Sequence, residues 1–295
     1  MQLVILAAGH GRRFGGLKQL APVGPHEEAL LDYTALDAMS SGFGPLILVV
    51  REEIRDEVEQ HVRKHWPSAL SWDVVCQQGI AGTAQAVLSA RPLLDGPFGV
   101  ANADDLYGIE ALDLLRSRLD RGAADEGEDA PHVLAAYRLV DTIFTTDTVA
   151  RGVCKVDPSD MLIDIVEMKV TAIGGDAAGY GAVPIDAEPG AARQPLSGEE
   201  LVSMNLWGLQ LRVLDHLAEA VEAFDPPPPP PDAVKPPELL LPEVVGDLVR
   251  NAKDRVLAAR ANGRCIGMTH PEDLDFVRRQ IGNRRPGDAL PAAAT

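Results

Sequence analysis

Little in this sequence suits an oxidising or a lipid environment. Cysteine occurs three times in 295 residues. Cys76, Cys154 and Cys265 stand far apart with no CxxC pair, which argues against a disulfide framework or a thiolate zinc site and leaves small buried apolar side chains. No apolar run approaches the ~20 residues that a bilayer-spanning helix needs. The apolar opening, residues 3–8, is too short for a signal-peptide core and follows no basic residue, so the expected location is cytoplasmic. Basic side chains are outnumbered: Lys and Arg total 27 against 44 Asp and Glu, for a formal charge of −17. Such a surface repels phosphate backbones and anionic headgroups, so neither nucleic acid nor membrane is an expected partner. A small phosphorylated ligand remains compatible, because a few local cations outweigh a distant, screened field. Hydrophobic residues at 46% and charged residues at 24% are ordinary globular usage and exclude wholesale disorder. The length suits one large α/β domain or two modest ones.

What is present alternates. Residues 2–8 form a continuous apolar run that ends in a glycine-rich loop, the pattern of a strand buried on both faces of a parallel sheet. Residues 30–41 read as a helix closed by Gly42, and 46–50 as a second apolar strand. Ile54, Val58 and Val62 recur at helical spacing, which predicts an amphipathic helix over 52–65 stopped by Pro67. Residues 72–76 are strand-like, and Thr83 offers a cap to a small-residue helix over 84–90. Residues 98–102 make a further strand, followed by Asp104, Asp105 and a helix over 109–119. This rhythm predicts right-handed βαβ units and a mostly parallel sheet flanked by helices.

Beyond residue 120 the rhythm changes. Residues 121–131 are acidic and rich in Gly and Ala, which predicts an exposed loop, and a strand follows over 133–139. Residues 152–156 and 161–167 flank Asp157-Pro158-Ser159-Asp160, a hairpin signal. A strand over 202–209 and a helix over 213–224 precede a proline-dominated surface excursion at 225–237. A helix over 243–252, a strand over 264–268 and a last helix from Pro271 to 281 complete the pattern, with a tail from 283.

Open parallel sheets bind ligands at the carboxyl ends of their strands, and three polar loops follow strands here. The first is Leu6-Ala7-Ala8-Gly9-His10-Gly11-Arg12-Arg13-Phe14-Gly15-Gly16-Leu17-Lys18. Its glycines let backbone N–H groups approach a phosphate closely, and Arg13 and Lys18 add charge. It is not a dinucleotide fingerprint, because Phe14 replaces the last glycine, and not a P-loop, because Leu17 intrudes before Lys18. The second, Gln77-Gln78-Gly79-Ile80-Ala81-Gly82-Thr83-Ala84-Gln85-Ala86, carries amides that both donate and accept, as a nucleobase edge requires. The third is Asn102-Ala103-Asp104-Asp105, where a hard carboxylate is placed to hold Mg²⁺. His61 and His65 are four apart on a helix, but Val62 stands where a zinc protease needs Glu, so they are expected on a solvated helix face.

The first loop resembles the signature of the sugar-1-phosphate nucleotidyltransferases, with Arg12 standing where many members have Ser or Thr. The resemblance implies a Rossmann-like, mixed but mostly parallel sheet with a β-hairpin extension on the sugar side. It also implies a single domain over 1–295, with an NTP-binding half at 1–120 and an acceptor-binding half at 131–282. In that family the loop wraps the triphosphate, which assigns Leu6, Ala7, Ala8, Gly9, Gly11 and Arg13 to nucleotide binding and makes Arg13 and Lys18 catalytic. Gln77, Gln78, Gly82 and Thr83 match the segment that reads the base. Asp104 matches the acid that holds Mg²⁺, with Asp105 beside it. Weaker echoes assign Gly152, Glu167, Lys169 and Asn205 to the acceptor.

Gly267 stands where many members carry a second metal-binding Asp. The implied reaction is Mg²⁺-dependent transfer from an NTP to a sugar 1-phosphate, releasing pyrophosphate. The alternatives are a cytidylyltransferase for a phospho-alcohol or phosphonate, a relative that transfers to a cofactor precursor, and a non-catalytic nucleotide-sugar-binding regulator. A dehydrogenase is disfavoured by Phe14. The base, the sugar and any self-assembly into a homo-oligomer stay open.

Overall fold

The first apolar run becomes β1 (Gln2–Leu6), buried along its whole length. Its side chains divide by parity: Leu3 and Ile5 enter one hydrophobic core, Val4 and Leu6 another. That two-sided burial, worth about 1.5–3 kcal/mol for each large aliphatic side chain, explains why the run is continuous rather than alternating. The computed structural model describes residues 1–9, 17–79, 82–144, 147–174, 179–188, 190–226, 237–268 and 271–282. Gly11 and Arg13, most of the proline-rich excursion and the tail from 283 lie outside them.

Three strands join β1 in parallel: β2 (Leu46–Val50), β3 (Trp72–Cys76) and β4 (Phe98–Asn102), in the order β3-β2-β1-β4. Helices α1 (Leu30–Ser40), α2 (Arg55–His65) and α4 (Ile109–Asp125) cover one face. Helices α3 (Thr83–Ser89), α5 (Val213–Ala223) and α6 (Leu241–Arg250) cover the other. This is a mixed α/β sheet flanked by helices. A two-residue ribbon, β5 (Asp105–Leu106) paired with β13 (Ile266–Gly267), packs with α7 (Asp273–Ile281) and the first turn of α1 into a small core of its own.

The sheet continues into the second half of the chain through β11 (Leu201–Leu209). One edge of β11 pairs with β6 (His132–Arg138), and β6 with β12 (Val256–Arg260). Its other edge pairs with β4 over its later residues and with β7 (Val149–Val156) over its earlier ones. The changeover falls at a register shift between Ser203 and Trp207, where Asn205 takes φ +60°. Such a bulge bends a strand and lets it serve two partners. From β7 the sheet runs on through β8 (Leu162–Ala172), β9 (Tyr180–Pro184) and β10 (Gln194–Leu196). The β7–β8 turn is the expected hairpin, closed by Asp157 Oδ1 accepting the N–H groups of Ser159 and Met161.

Several expectations need correction. The loop foreseen from 121 is helical as far as Asp125, because the apolar stripe Leu112, Leu115, Leu119 nucleates α4 and extension costs little once it exists. The strand foreseen over 264–268 contracts to Ile266–Gly267. β9, β10 and β12 were not foreseen: β10 is an edge strand that tolerates Pro195, and β12 is a short Ala-rich run set in place by β6. Thr83 does not cap α3; the N-cap is Gly82, and the Thr83 hydroxyl accepts the Leu241 N–H at 2.8 Å. His61 and His65 are not a solvated face. They are partly buried and stacked at 4.3 Å, with His61 Nε2 2.8 Å from buried Asp32. Asp32 is already occupied by the Ala29 N–H and the Trp66 indole N–H, a partner set invisible from the α2 sequence.

A buried charge cluster ties the second half together. His132 Nδ1 accepts the Gln210 N–H, so its other nitrogen donates to Asp254 at 3.0 Å. Arg212 donates to both oxygens of Asp254, at 2.8 and 2.7 Å. Burial works against the charge on Asp254, but the hydrogen bonds from His132 and Arg212 win and hold it well below the usual carboxylate range. A depressed acid stabilises the fold above its unfolded-state value and loses that contribution as pH falls. Asp254→Ala is therefore expected to cost about 3 kcal/mol at pH 7, measured by urea unfolding, with the deficit shrinking below pH 4.

Candidate active site

The carboxyl ends of β1 and β4 lie side by side, and the parallel ladder runs past both. Ala7 N–H donates to Val49 O at 2.8 Å, and Ala103 N–H to Leu6 O at 3.1 Å. Leu6, Ala7 and Ala8 are buried and Gly9 is exposed, so the chain leaves the sheet at Gly9. Two side chains pin this exit: Arg51 donates to Ala8 O at 3.0 Å, and Gln19 Nε2 to Gly9 O at 2.5 Å. The Gln19 Oε1 atom is buried and has no partner among the described residues.

Beyond the glycine-rich loop, Lys18 returns to the same edge. Its ammonium meets Asp104 Oδ2 at 2.5 Å, across 86 positions of sequence. Asp104 is partly exposed and Lys18 largely covered, so the cation is held from behind by a carboxylate that still faces solvent. Asp105, by contrast, is buried. Its Oδ2 accepts Asn102 Nδ2 at 2.8 Å and lies 3.4 Å from the Tyr107 hydroxyl. Burial first, then the charge of Asp104, push its carboxyl up to about 6. The hard oxygens of Asp104, at the end of a central strand and open to solvent, suit a divalent cation of the Mg²⁺ type.

The second loop is strapped from outside. Gln77 continues the β2–β3 ladder through its N–H to Val50 O, and its side chain donates to Gly82 O at 3.2 Å. Gln78 is exposed. Gly82 has φ +121°, and a Cβ there would sit 2.2 Å from Leu239 O. Glycine is thus required twice, by conformation and by space. Leu239 O accepts the Ala84 N–H at 3.1 Å, so the chain emerging from the proline-rich excursion is fastened to the Gly82–Thr83 turn.

In the second half of the chain, Glu167, Gly152 and Ser203 are register partners across β8, β7 and β11. A Cβ at Gly152 would lie 3.0 Å from Glu167 Oε1, so glycine leaves that carboxyl its room. Burial, reinforced by Glu243 and opposed by Arg151, raises the Glu167 carboxyl to about 7. Lys169 is exposed on β8 and makes no side-chain hydrogen bond among the described residues. The Asn205 side chain donates to Asn102 Oδ1 and accepts the Trp207 indole N–H, each at 2.8 Å. It therefore joins β11 to the end of β4.

Sequence reasoning missed three side chains of this neighbourhood. Asn102 links Asn205 to Asp105, and its position as the last residue of β4 was a usable signal. Gln19 follows Lys18 directly. Arg151 had no local signal; its guanidinium binds the Thr142 hydroxyl and the carbonyls of Thr142 and Ala150, all neutral acceptors. One further group of potential metal ligands, Asp32, His61 and His65, lies among α1 and α2 and takes no part in this arrangement.

Residues 3–159 match the family model described as the MobA-like NTP transferase domain. Among solved structures, the chain is similar to the inositol-1-phosphate CTP transferase from T. maritima. The TM-score is 0.64 and the identity 17%, over 96% of this chain and 95% of that one. It is also similar to UDP-glucose pyrophosphorylase complexed with UDP-glucose, with a TM-score of 0.60 and 16% identity over 96% and 99% of the two chains. No curated protein matches by sequence. At such identities the likeness establishes the fold. No helix among the described residues is long and apolar enough to cross a membrane.

A raised carboxyl makes the native state less stable as pH climbs from its unfolded value, near 4.3, to its folded one. Glu167→Gln should accordingly stabilise the protein at pH 8, by on the order of 2 kcal/mol, and have little effect at pH 4. Urea unfolding at the two pH values measures this, and equal effects at both would refute the burial of that charge.

Proposed function

Because the chain belongs to the MobA-like NTP transferase domain family, we propose that it transfers a nucleotidyl group from an NTP to a phosphorylated small molecule. The favoured acceptor is a sugar 1-phosphate, the product a nucleotide-sugar, and the setting the cytoplasm. Residues 1–120 bind the NTP and 131–282 the acceptor, within one domain. The observation that carries this reading is the Lys18–Asp104 pair at the carboxyl end of β4, beside the turn that leaves β1 at Gly9.

An oxygen of the acceptor phosphate attacks the α-phosphorus. The new P–O bond forms as the bond from the α-phosphorus to the bridging oxygen breaks, and pyrophosphate leaves with that electron pair. The acceptor is already an anionic nucleophile, so no covalent enzyme intermediate is required. The obstacle is electrostatic, because two anions meet while charge grows on the leaving group. Lys18 and Arg13 answer it with positive charge, aided by backbone N–H groups of the glycine-rich loop. A magnesium ion bound at Asp104 would neutralise triphosphate charge further. Gln77, Gln78, Gly82 and Thr83 form the base side, and Gly152, Glu167, Lys169 and Asn205 the acceptor side.

Lys18→Ala should lower kcat by about 10²–10³ while leaving NTP binding nearly unchanged, since its charge serves the transition state. Asp104→Asn should remove the response to Mg²⁺. Pyrophosphate release measured over four NTPs and a panel of sugar phosphates and phospho-alcohols reads both effects and identifies the acceptor. Tight nucleotide binding with no release across the panel would instead mark a regulatory binding protein.

A further inference from the structure

Asp105 lies in the β5–β13 ribbon directly opposite Gly267. Only one of its carboxylate oxygens is anchored: Oδ2 has Asn102 and Tyr107, whereas Oδ1 has no hydrogen bond among the described residues. The residue is only 8% exposed. The free oxygen is not among the buried unpartnered atoms of the described residues, so Oδ1 keeps an opening, and the nearby ammonium of Lys18 is engaged by Asp104. An asparagine would satisfy Asn102 equally well without the charge, so packing alone does not account for an acid here.

Gly267 supplies the second observation. Its φ is not in the left-handed region, so its backbone makes no demand for glycine. Space is the constraint: a Cβ at 267 would stand 2.6 Å from Asp105 Oδ1, so the carboxylate would have to turn away from its present position. Glycine across the ribbon is what leaves that particular oxygen clear. Asp104, the adjacent residue, presents its own carboxylate at the same strand end.

We propose that Asp105 Oδ1 is a second carboxylate ligand for the divalent cation held by Asp104, and that Gly267 keeps its approach open. The inference rests on the metal-dependent reading above and adds a residue to it. An acid missing from position 267 is thereby supplied from across the ribbon, by the facing strand.

The test is Mn²⁺ binding to the full-length protein, followed by electron paramagnetic resonance with and without NTP. Asp105→Asn should weaken Mn²⁺ binding about tenfold or more, because the introduced amide turns its oxygen to Asn102 and its N–H groups toward the metal. Gly267→Ala should weaken it as well, by crowding an unaltered carboxylate, and this variant gives a reading even if Asp105→Asn folds poorly. The exchange Asp105→Ala with Gly267→Asp should recover binding, since it returns a carboxylate to the same point from β13.

Wild-type Mn²⁺ affinity in Asp105→Asn, or in Gly267→Ala, overturns the proposal. If Asp104→Asn abolishes binding in that same experiment, the proposed function stands without it. A wild-type protein that takes up no Mn²⁺ even with NTP removes both.

Discussion

The amide pair Asn102–Asn205 holds the two parts of the molecule in one register. Asn102 ends β4, the last of the four parallel strands, and Asn205 sits at the bulge where β11 passes from pairing with β7 to pairing with β4. Each amide then has a second duty, Asn102 toward Asp105 and Asn205 toward the Trp207 indole. Partly buried amides in such a chain stabilise one arrangement because any slip leaves several polar groups unpaired at once. The β11 ladders to β4 and β7 make the sheet continuous, and this contact ties the bulge of β11 to the end of β4 and, through Asn102, to Asp105.

Local charge matters more here than the overall balance. The chain is strongly acidic, yet Lys18 pairs with Asp104, and the charges of Lys18 and Arg151 both reach Asp105. At contact range these cations exceed a diffuse surface field that salt screens within ~10 Å. A diffuse field of this kind weighs most on a ligand that lies along the surface and least on one held by a few local charges.

Much of the architecture was legible because it rests on short-range rules. Apolar runs such as 46–50 and 98–102 became strands at those bounds, since only burial on both faces suits them. The place of the acid pair directly after β4 was legible for the same reason, since it follows from where the strand ends. The histidines of α2, the hydroxyl of Thr83 and the guanidinium of Arg151 were not. Their partners, Asp32, Leu241 and Thr142, come from other elements, and no pattern within their own segments announces them.

The sequence by itself determined the βαβ rhythm and the identity of the acids and bases available, because backbone geometry and residue chemistry act over a few positions. Which of these groups meet was decided only in three dimensions. Lys18 reaches Asp104, Leu239 closes on Gly82, and Gly267 makes room for Asp105 through contacts between distant strands and turns. Those pairings depend on how sheets and ribbons stack, and stacking is settled by packing the whole core rather than by any one segment.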